Sequence, residues 1–323
     1  MLIELIGALV IMIDFIPRFG LSQGAFNAVF LAVSAFCNSG FDNFGNNSLQ
    51  DFSGNYLISL TVSALVIAGG LGFSVWFELI DRFTHFIKDR PRSLKVSFHT
   101  TSYNTRLILL MTAILLVFGT LIIWMAESQN EATISGLSIP QQLLTSFFQS
   151  ANSRTAGYTT IQYEHTLPIT RFIYMIFTVI GGAPGGTAGG IKVTTFAILI
   201  LMIRAELNSY SKVVFKKRVI PTRLVRQAVL IALYFLFFLV IGYALLIITH
   251  PYLNALDLMF ESVSAIGSSG ISIILTDRLS FFGRIILVIM MFAGRIGPST
   301  MLVAILQRKN KEISYVDTNI QLG

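Results

Sequence analysis

The chain alternates between long apolar runs and short polar connections. Apolar runs occupy residues 57–80, 107–125, 172–203, 228–249 and 285–306. Each is close to or above the ~20 residues a helix needs to cross a ~30 Å hydrocarbon layer. Residues 1–16 are apolar too, but the run is short. It lacks a basic leader, and no small-residue cleavage site follows, so it reads as a clipped membrane helix rather than a signal peptide. The pattern predicts an all-α membrane protein with several spans.

A second pattern lies between these spans. Residues 28–41 (AVFLAVSAFCNSGF), 143–158 (LLTSFFQSANSRTAGY) and 255–271 (ALDLMFESVSAIGSSGI) resemble one another. Each opens with an apolar helix too short to span, passes through Ser-Ala into a small polar stretch, and ends on glycine followed by a bulky residue. The middle copy has one extra residue before its glycine. The predicted unit is helix, pore loop, helix, repeated pseudo-symmetrically around a central ion pore. A partial repeat covers 1–81 with its loop near 28–45. A second covers 107–207 with its loop at 141–160, and a third covers 226–307 with its loop at 254–272. Linkers at 82–106 and 208–225 and a tail at 308–323 are expected to be cytoplasmic.

A short helix that enters a membrane and turns back leaves carbonyls unpaired, which is tolerated only against protein or a wet cavity. Carbonyls lining such a path can replace the hydration shell of a cation, and glycine lets successive carbonyls face one way. The candidate filter residues are therefore Asn38, Ser39 and Gly40, then Thr155, Ala156 and Gly157, then Ser268, Ser269 and Gly270, with K+ held at their carbonyls. Residues 180–196 break their span, because glycine and proline disfavour helix interiors by ~1 and ~3 kcal/mol. A movable plug is the sharper reading of this segment and close helix packing the plainer one. Its candidate residues are Gly185, Gly186, Gly189, Gly190 and Lys192, joined by Arg295 from the last span. Arg154 is expected to clamp its turn, and Cys37 to pack beside the filter.

Composition and charge narrow the class further. Of the 323 residues, 54% are hydrophobic and 12% charged, against about 25% charged in a soluble domain. The net charge of +7 is unevenly spread. Lys and Arg concentrate in 82–106, 204–226 and the tail, while acidic residues mark the other connections. Basic connections stay inside, so the acidic ones face outward, and nucleic acid is not an expected partner. One cysteine and four scattered histidines offer no metal or nucleophile cluster, so an intramembrane enzyme is not expected and no covalent cofactor is called for.

At these residues the sequence resembles the Trk/Ktr/HKT superfamily of potassium transporters, most of all its Ktr-type membrane subunits. FCNSGFDNFG (36–45), SRTAGY (153–158) and GSSGIS (267–272) are similar to the second, third and fourth filter loops of that family. IGGAPGGTAGGIKVTTF (180–196) resembles its intramembrane gating loop, and AGRIGPSTM (293–301) the arginine-bearing stretch of its last span. The resemblance implies K+ uptake, a homodimer in the cell membrane, and a cytosolic nucleotide-binding regulatory ring. Glu4 and Glu78, the nearest acidic residues to a span interior, lie close to expected cytoplasmic ends, which points to drive by the membrane potential. Family members have four units where three are visible here, so the chain reads as lacking the first. Two alternatives stand beside this reading, a sodium-permeable variant and a truncated, non-conducting assembly or regulatory chain.

Overall fold

A computed structural model describes residues 1–45, 48–88, 101–273 and 278–306, without the side chains of 86–88 and 296–306. Residues 89–100 of the expected 82–106 linker and the expected tail at 308–323 lie outside the described residues. The first unit contains α1 (Leu2–Phe19), α2 (Leu21–Phe36), α3 (Tyr56–Gly70) and α4 (Phe73–Lys88). The second contains α5 (Tyr103–Glu127), α6 (Ile139–Asn152), α7 (Pro168–Val179) and α8 (Val193–Leu207). The third contains α9 (Thr222–Thr249), α10 (Ala255–Gly267) and α11 (Phe281–Leu306). Between α8 and α9 a small antiparallel hairpin pairs β1 (Val214–Phe215) with β2 (Arg218–Val219).

Local sequence explains where these helices start. The Asn55 side chain accepts hydrogen bonds from Leu57 N and Ile58 N at the head of α3, and Asn254 accepts from Leu256 N at the head of α10. At α6, Gln141 Oε1 accepts from Ser138 N at 3.2 Å, and a proline occupies the first turn. Such caps satisfy N–H groups that the helix itself leaves free.

Helices α5 and α9 are each long and apolar enough to cross a membrane alone. On α9, Leu233, Leu236, Phe237 and Val240 are all more than half exposed. In water such a surface would be a liability, whereas in lipid it is the expected outer face.

Two expectations need correction. Residues 57–80 are not one straight span. They break at Leu71 and Gly72, and α3 meets α4 at a bend of 100°. The first short helix also starts earlier than residue 28. It runs Leu21–Phe36 and follows α1 after a single residue, Gly20, at φ 79°. The two helices fold back on each other there, and a Cβ on Gly24 would meet Phe15 O at 2.7 Å. The interruption inside 172–203 is present: α7 ends at Val179 and α8 begins at Val193.

The core forms in patches between neighbouring units. Phe148, Ala156 and Tyr158 of the second unit pack into the core of α1, α2 and α3. Tyr163, Tyr174 and Met175 of the second unit pack with Phe260 and Val263 of the third. The middle unit therefore touches both of the others through buried side chains.

Candidate functional site

The three short helices α2, α6 and α10 end at Phe36, Asn152 and Gly267, and each delivers its chain directly into one of the expected filter triplets. Every triplet has the same backbone signature. Asn38, Thr155 and Ser268 have positive φ (49°, 70° and 54°), and so do Gly40, Gly157 and Gly270 (72°, 95° and 84°). The residue between them does not, so the sign of φ alternates over three residues in each unit. Left-handed backbone costs a non-glycine residue about 1–2 kcal/mol. Three such residues at equivalent positions mark strain held in place for a purpose. Alternation of this kind turns successive carbonyls toward one side.

Hydrogen bonds repeat with the same regularity. Asn38 N donates to Ala35 O and Ser268 N to Ala265 O, while Ser39 N donates to Ser34 O and Ser269 N to Ser264 O. Ser34 Oγ donates to Phe41 O at 2.6 Å, and Ser264 Oγ donates to Ile271 O at 2.5 Å. A pore-helix serine thus holds the residue after the glycine in the first and third units. The middle unit has its extra residue and does this differently: Tyr158 N donates to Asn152 Oδ1 at 3.3 Å. In the third unit the buried Glu261 adds a second tie, accepting from Ile273 N at 2.9 Å.

The triplets meet one another. A Cβ on Gly40 would lie 2.8 Å from both Ala156 O and Gly157 Cα, and a Cβ on Gly157 would lie 2.6 Å from Ser269 O. All three glycine segments are therefore brought together, as their shared pattern suggested. Gly270 has open space around its Cβ position and needs glycine only for its φ.

The glycine-rich segment between α7 and α8 closes on itself and then on the triplets. Gly181 N donates to Ile191 O and Val193 N to Gly182 O, both at 2.9 Å. A Cβ on Gly181 would stand 1.7 Å from Gly189 O, so the two limbs touch only because side chains are missing there. The tip reaches all three units. Thr187 Oγ1 shares its proton between Phe36 O and Asn38 Oδ1, each at 3.1 Å. Gly189 N donates to Thr155 Oγ1 at 2.8 Å, and Gly189 lies against Gly267 O. Lys192 Nζ donates to Ala188 O at 2.7 Å, and Arg295 Nη1 donates to Thr187 O at 2.9 Å. Gly185, Gly186 and Gly190 shape the turns, with Gly185 and Gly190 at positive φ.

The bend between α3 and α4, which sequence reasoning missed, is the receptor for this loop. Gly70 O accepts from Ala183 N at 2.8 Å and Gly69 O from Thr187 N at 3.2 Å. A Cβ on Gly72 would lie 2.6 Å from Pro184 O. The signal was present in Gly69-Gly70-Leu71-Gly72, as dense in glycine as the segment that was read as a break. Arg154, read as a clamp on its turn, follows the end of α6. It is buried, and its Nε and Nη2 meet no acceptor among the described residues. It borders a cavity of about 10 Å³ that Asn38, Gly70 and Gly182 also line. Cys37 is half-buried at the end of α2.

These repeated helix, re-entrant loop, helix units converge on one centre, which defines a multi-pass membrane protein of the pore-loop class. A family model described as "TrkH: Cation transport protein" matches residues 1–313, and the chain belongs to that family. It is 33% identical over 332 residues to the potassium/sodium uptake protein NtpJ of Enterococcus hirae, covering 99% of this chain and 69% of that protein. It is 32% identical over 323 residues to the Ktr system potassium uptake protein B of Bacillus subtilis, again covering 99% of this chain and 69% of the relative. The crystal structure of the potassium transporter TrkH from Vibrio parahaemolyticus shares the fold, with a TM-score of 0.68 at 19% identity. That match covers 92% of this chain and 62% of the solved one. The chain thus spans about two thirds of the proteins it resembles.

Proposed function

We propose that this chain forms the ion path of a potassium-uptake system. The carbonyls of Asn38–Gly40, Thr155–Gly157 and Ser268–Gly270 replace the hydration shell of K+. The alternating sign of φ, repeated at three equivalent triplets, carries this reading. The negative ends of α2, α6 and α10 reach the same place and favour a cation there. Inward movement needs no coupled step, because one charge gains ~2.3 kcal/mol per 100 mV across the membrane. The names of two relatives, a potassium/sodium uptake protein and a Ktr system potassium uptake protein, agree with the choice of ion.

The loop of residues 180–192 is the gate. Thr187 and Gly189 latch it to the filter triplets, Gly69 and Gly70 seat it, and Arg295 and Lys192 brace its tip. The basic connections face the cytoplasm, where a nucleotide-binding ring docks on a homodimer of the membrane subunit and controls this loop. The name of the Enterococcus relative supports a second reading on selectivity, that Na+ also passes.

The decisive experiment is uptake in a bacterium lacking its own K+ systems, with the protein expressed from its native locus. Growth at low external K+ is expected with the wild type and lost in Gly157→Asp. A well-expressed wild type that restores no uptake of K+ or Na+ would sink the proposal.

A further inference from the structure

Two buried tyrosines of the middle unit cross to the filters of its neighbours. Tyr158 follows Gly157 directly and is fully buried. Its hydroxyl donates to Ser34 Oγ at 2.5 Å. Ser34 Oγ also accepts from Phe41 N at 3.0 Å and donates to Phe41 O at 2.6 Å. Ser39 Oγ lies 3.0 Å from the same hydroxyl, so Ser34 Oγ gathers four polar neighbours. The bond therefore joins the exit of the second filter triplet to the exit of the first.

Tyr174 does the equivalent on the other side. It stands on α7, and its hydroxyl hydrogen-bonds Ser269 Oγ at 2.9 Å. Both partners are 1% exposed. The ring is held between Tyr163 and Phe260, at 4.8 and 5.3 Å between centroids. Ser269 is the central residue of the third triplet, so Tyr174 fixes a filter residue itself. The two tyrosines come from one unit and reach in opposite directions.

Packing alone does not account for the hydroxyls. Phenylalanine would fill the same volume in either place, yet one oxygen is aimed at the pore-helix serine that holds the first triplet's exit and the other at the central serine of the third triplet. We propose that Tyr158 and Tyr174 are positioning residues that set the spacing between the three filter triplets and thereby set discrimination between K+ and the smaller Na+. Backbone carbonyls favour the ion whose size matches the separation at which they are held. A filter free to contract would close around Na+ as readily as around K+. The struts oppose that contraction, because each ties a filter segment to a rigid, buried ring. The proposal rests on the reading of the triplets as a filter.

The test compares Tyr158→Phe, Tyr174→Phe and the control Tyr243→Phe, whose hydroxyl bonds Ala255 O away from the filter. The protein is expressed from its native locus, and K+ and Na+ uptake are measured as separate KM values in cells lacking other uptake systems. Loss of one buried hydrogen bond is expected to lower the K+ over Na+ preference roughly five- to tenfold in each strut variant, with the control unchanged. Ser34→Ala removes the tyrosine bond together with the two to Phe41, so it is expected to lower the preference at least as far as Tyr158→Phe, the double variant to be no worse than Ser34→Ala alone, and Ser34→Thr, which keeps the hydroxyl, to keep the preference. K+- and Na+-dependent thermal stabilisation of the purified protein gives the same ratio where a variant expresses poorly. An unchanged ratio in both strut variants, while Gly157→Asp abolishes uptake, overturns the strut proposal and leaves the filter reading standing. A wild type that neither transports nor binds either ion overturns both.

Discussion

At Gly157 an added methyl group would stand 2.6 Å from Ser269 O and 2.7 Å from Gly40 Cα, on a backbone already at φ 95°. Both obstacles are backbone, which cannot rotate away as a side chain can. Gly157→Ala is therefore expected to abolish uptake and to lower the melting temperature of the purified protein. Gly270 has the same backbone sign and nothing within 4 Å of its Cβ position. Gly270→Ala meets only the left-handed penalty of about 1–2 kcal/mol, so measurable uptake should persist. Asparagine tolerates that conformation better, so Gly270→Asn should be milder still. Equal losses in Gly157→Ala and Gly270→Ala would contradict the distinction. The three triplets were legible because sequence similarity was enough to align them. Which of the glycines is hemmed in by a neighbour was not legible, since that depends on distances between units far apart in the chain.

The loop of residues 180–192 and the α3–α4 bend behave as one device. Thr187 contributes its hydroxyl, its N–H and its carbonyl to three different elements: the end of α2, Gly69 of α3, and Arg295 of α11. Thr187→Val keeps the shape and deletes only the hydroxyl. On the proposed reading of this loop as the gate, losing one hydrogen bond of about 1 kcal/mol should raise its open fraction roughly fivefold. The check is ion flux through the purified protein alone in liposomes, which should rise and not fall. Gly69→Ala is a harsher change, because its Cβ would lie 1.8 Å from Phe36 O. It is expected to reduce folded protein on size-exclusion chromatography as well as transport. The break inside 172–203 was readable from glycine and proline density. The break at Gly72 was passed over because the flanking runs were apolar enough to read as one continuous span.

In the middle unit, a buried carboxylate ties the end of α5 to the start of α7. Glu127 accepts from Asn130 Nδ2 and Thr133 Oγ1, both at 2.7 Å, from Leu167 N at 2.9 Å, and from Thr170 Oγ1. Glu127→Ala would leave these donors without their acceptor, and a loss of about 3 kcal/mol or more in stability is expected. Thermal unfolding in detergent measures it. Across the whole molecule, Arg171 of α7 pairs with Asp257 of α10 at 2.8 Å, joining the second unit to the third. The proposed orientation rests on the charge of the connections. Lys216 and Lys217 lie on the β1–β2 hairpin and Glu164 on the opposite kind of connection. Cysteines placed at Lys216 and Glu164 should react with a membrane-impermeant thiol reagent from opposite sides, the first from within. Labelling of both from one side would refute the topology.

Hydrophobic run lengths, the repeated Ser-Ala-to-glycine pattern and the glycine-rich break were enough to define a helical membrane protein with pore loops and a candidate gate. These are local properties, because a span is fixed by its own length and a turn by its own glycines. Tertiary structure alone decided which elements meet. Only it places the loop tip against Asn38, Thr155 and Gly267 together, seats that loop in a bend that composition had concealed, and aims Tyr158 and Tyr174 at serines of other units. Contacts across the pore depend on how separate segments pack, and no periodicity along the chain encodes that distance.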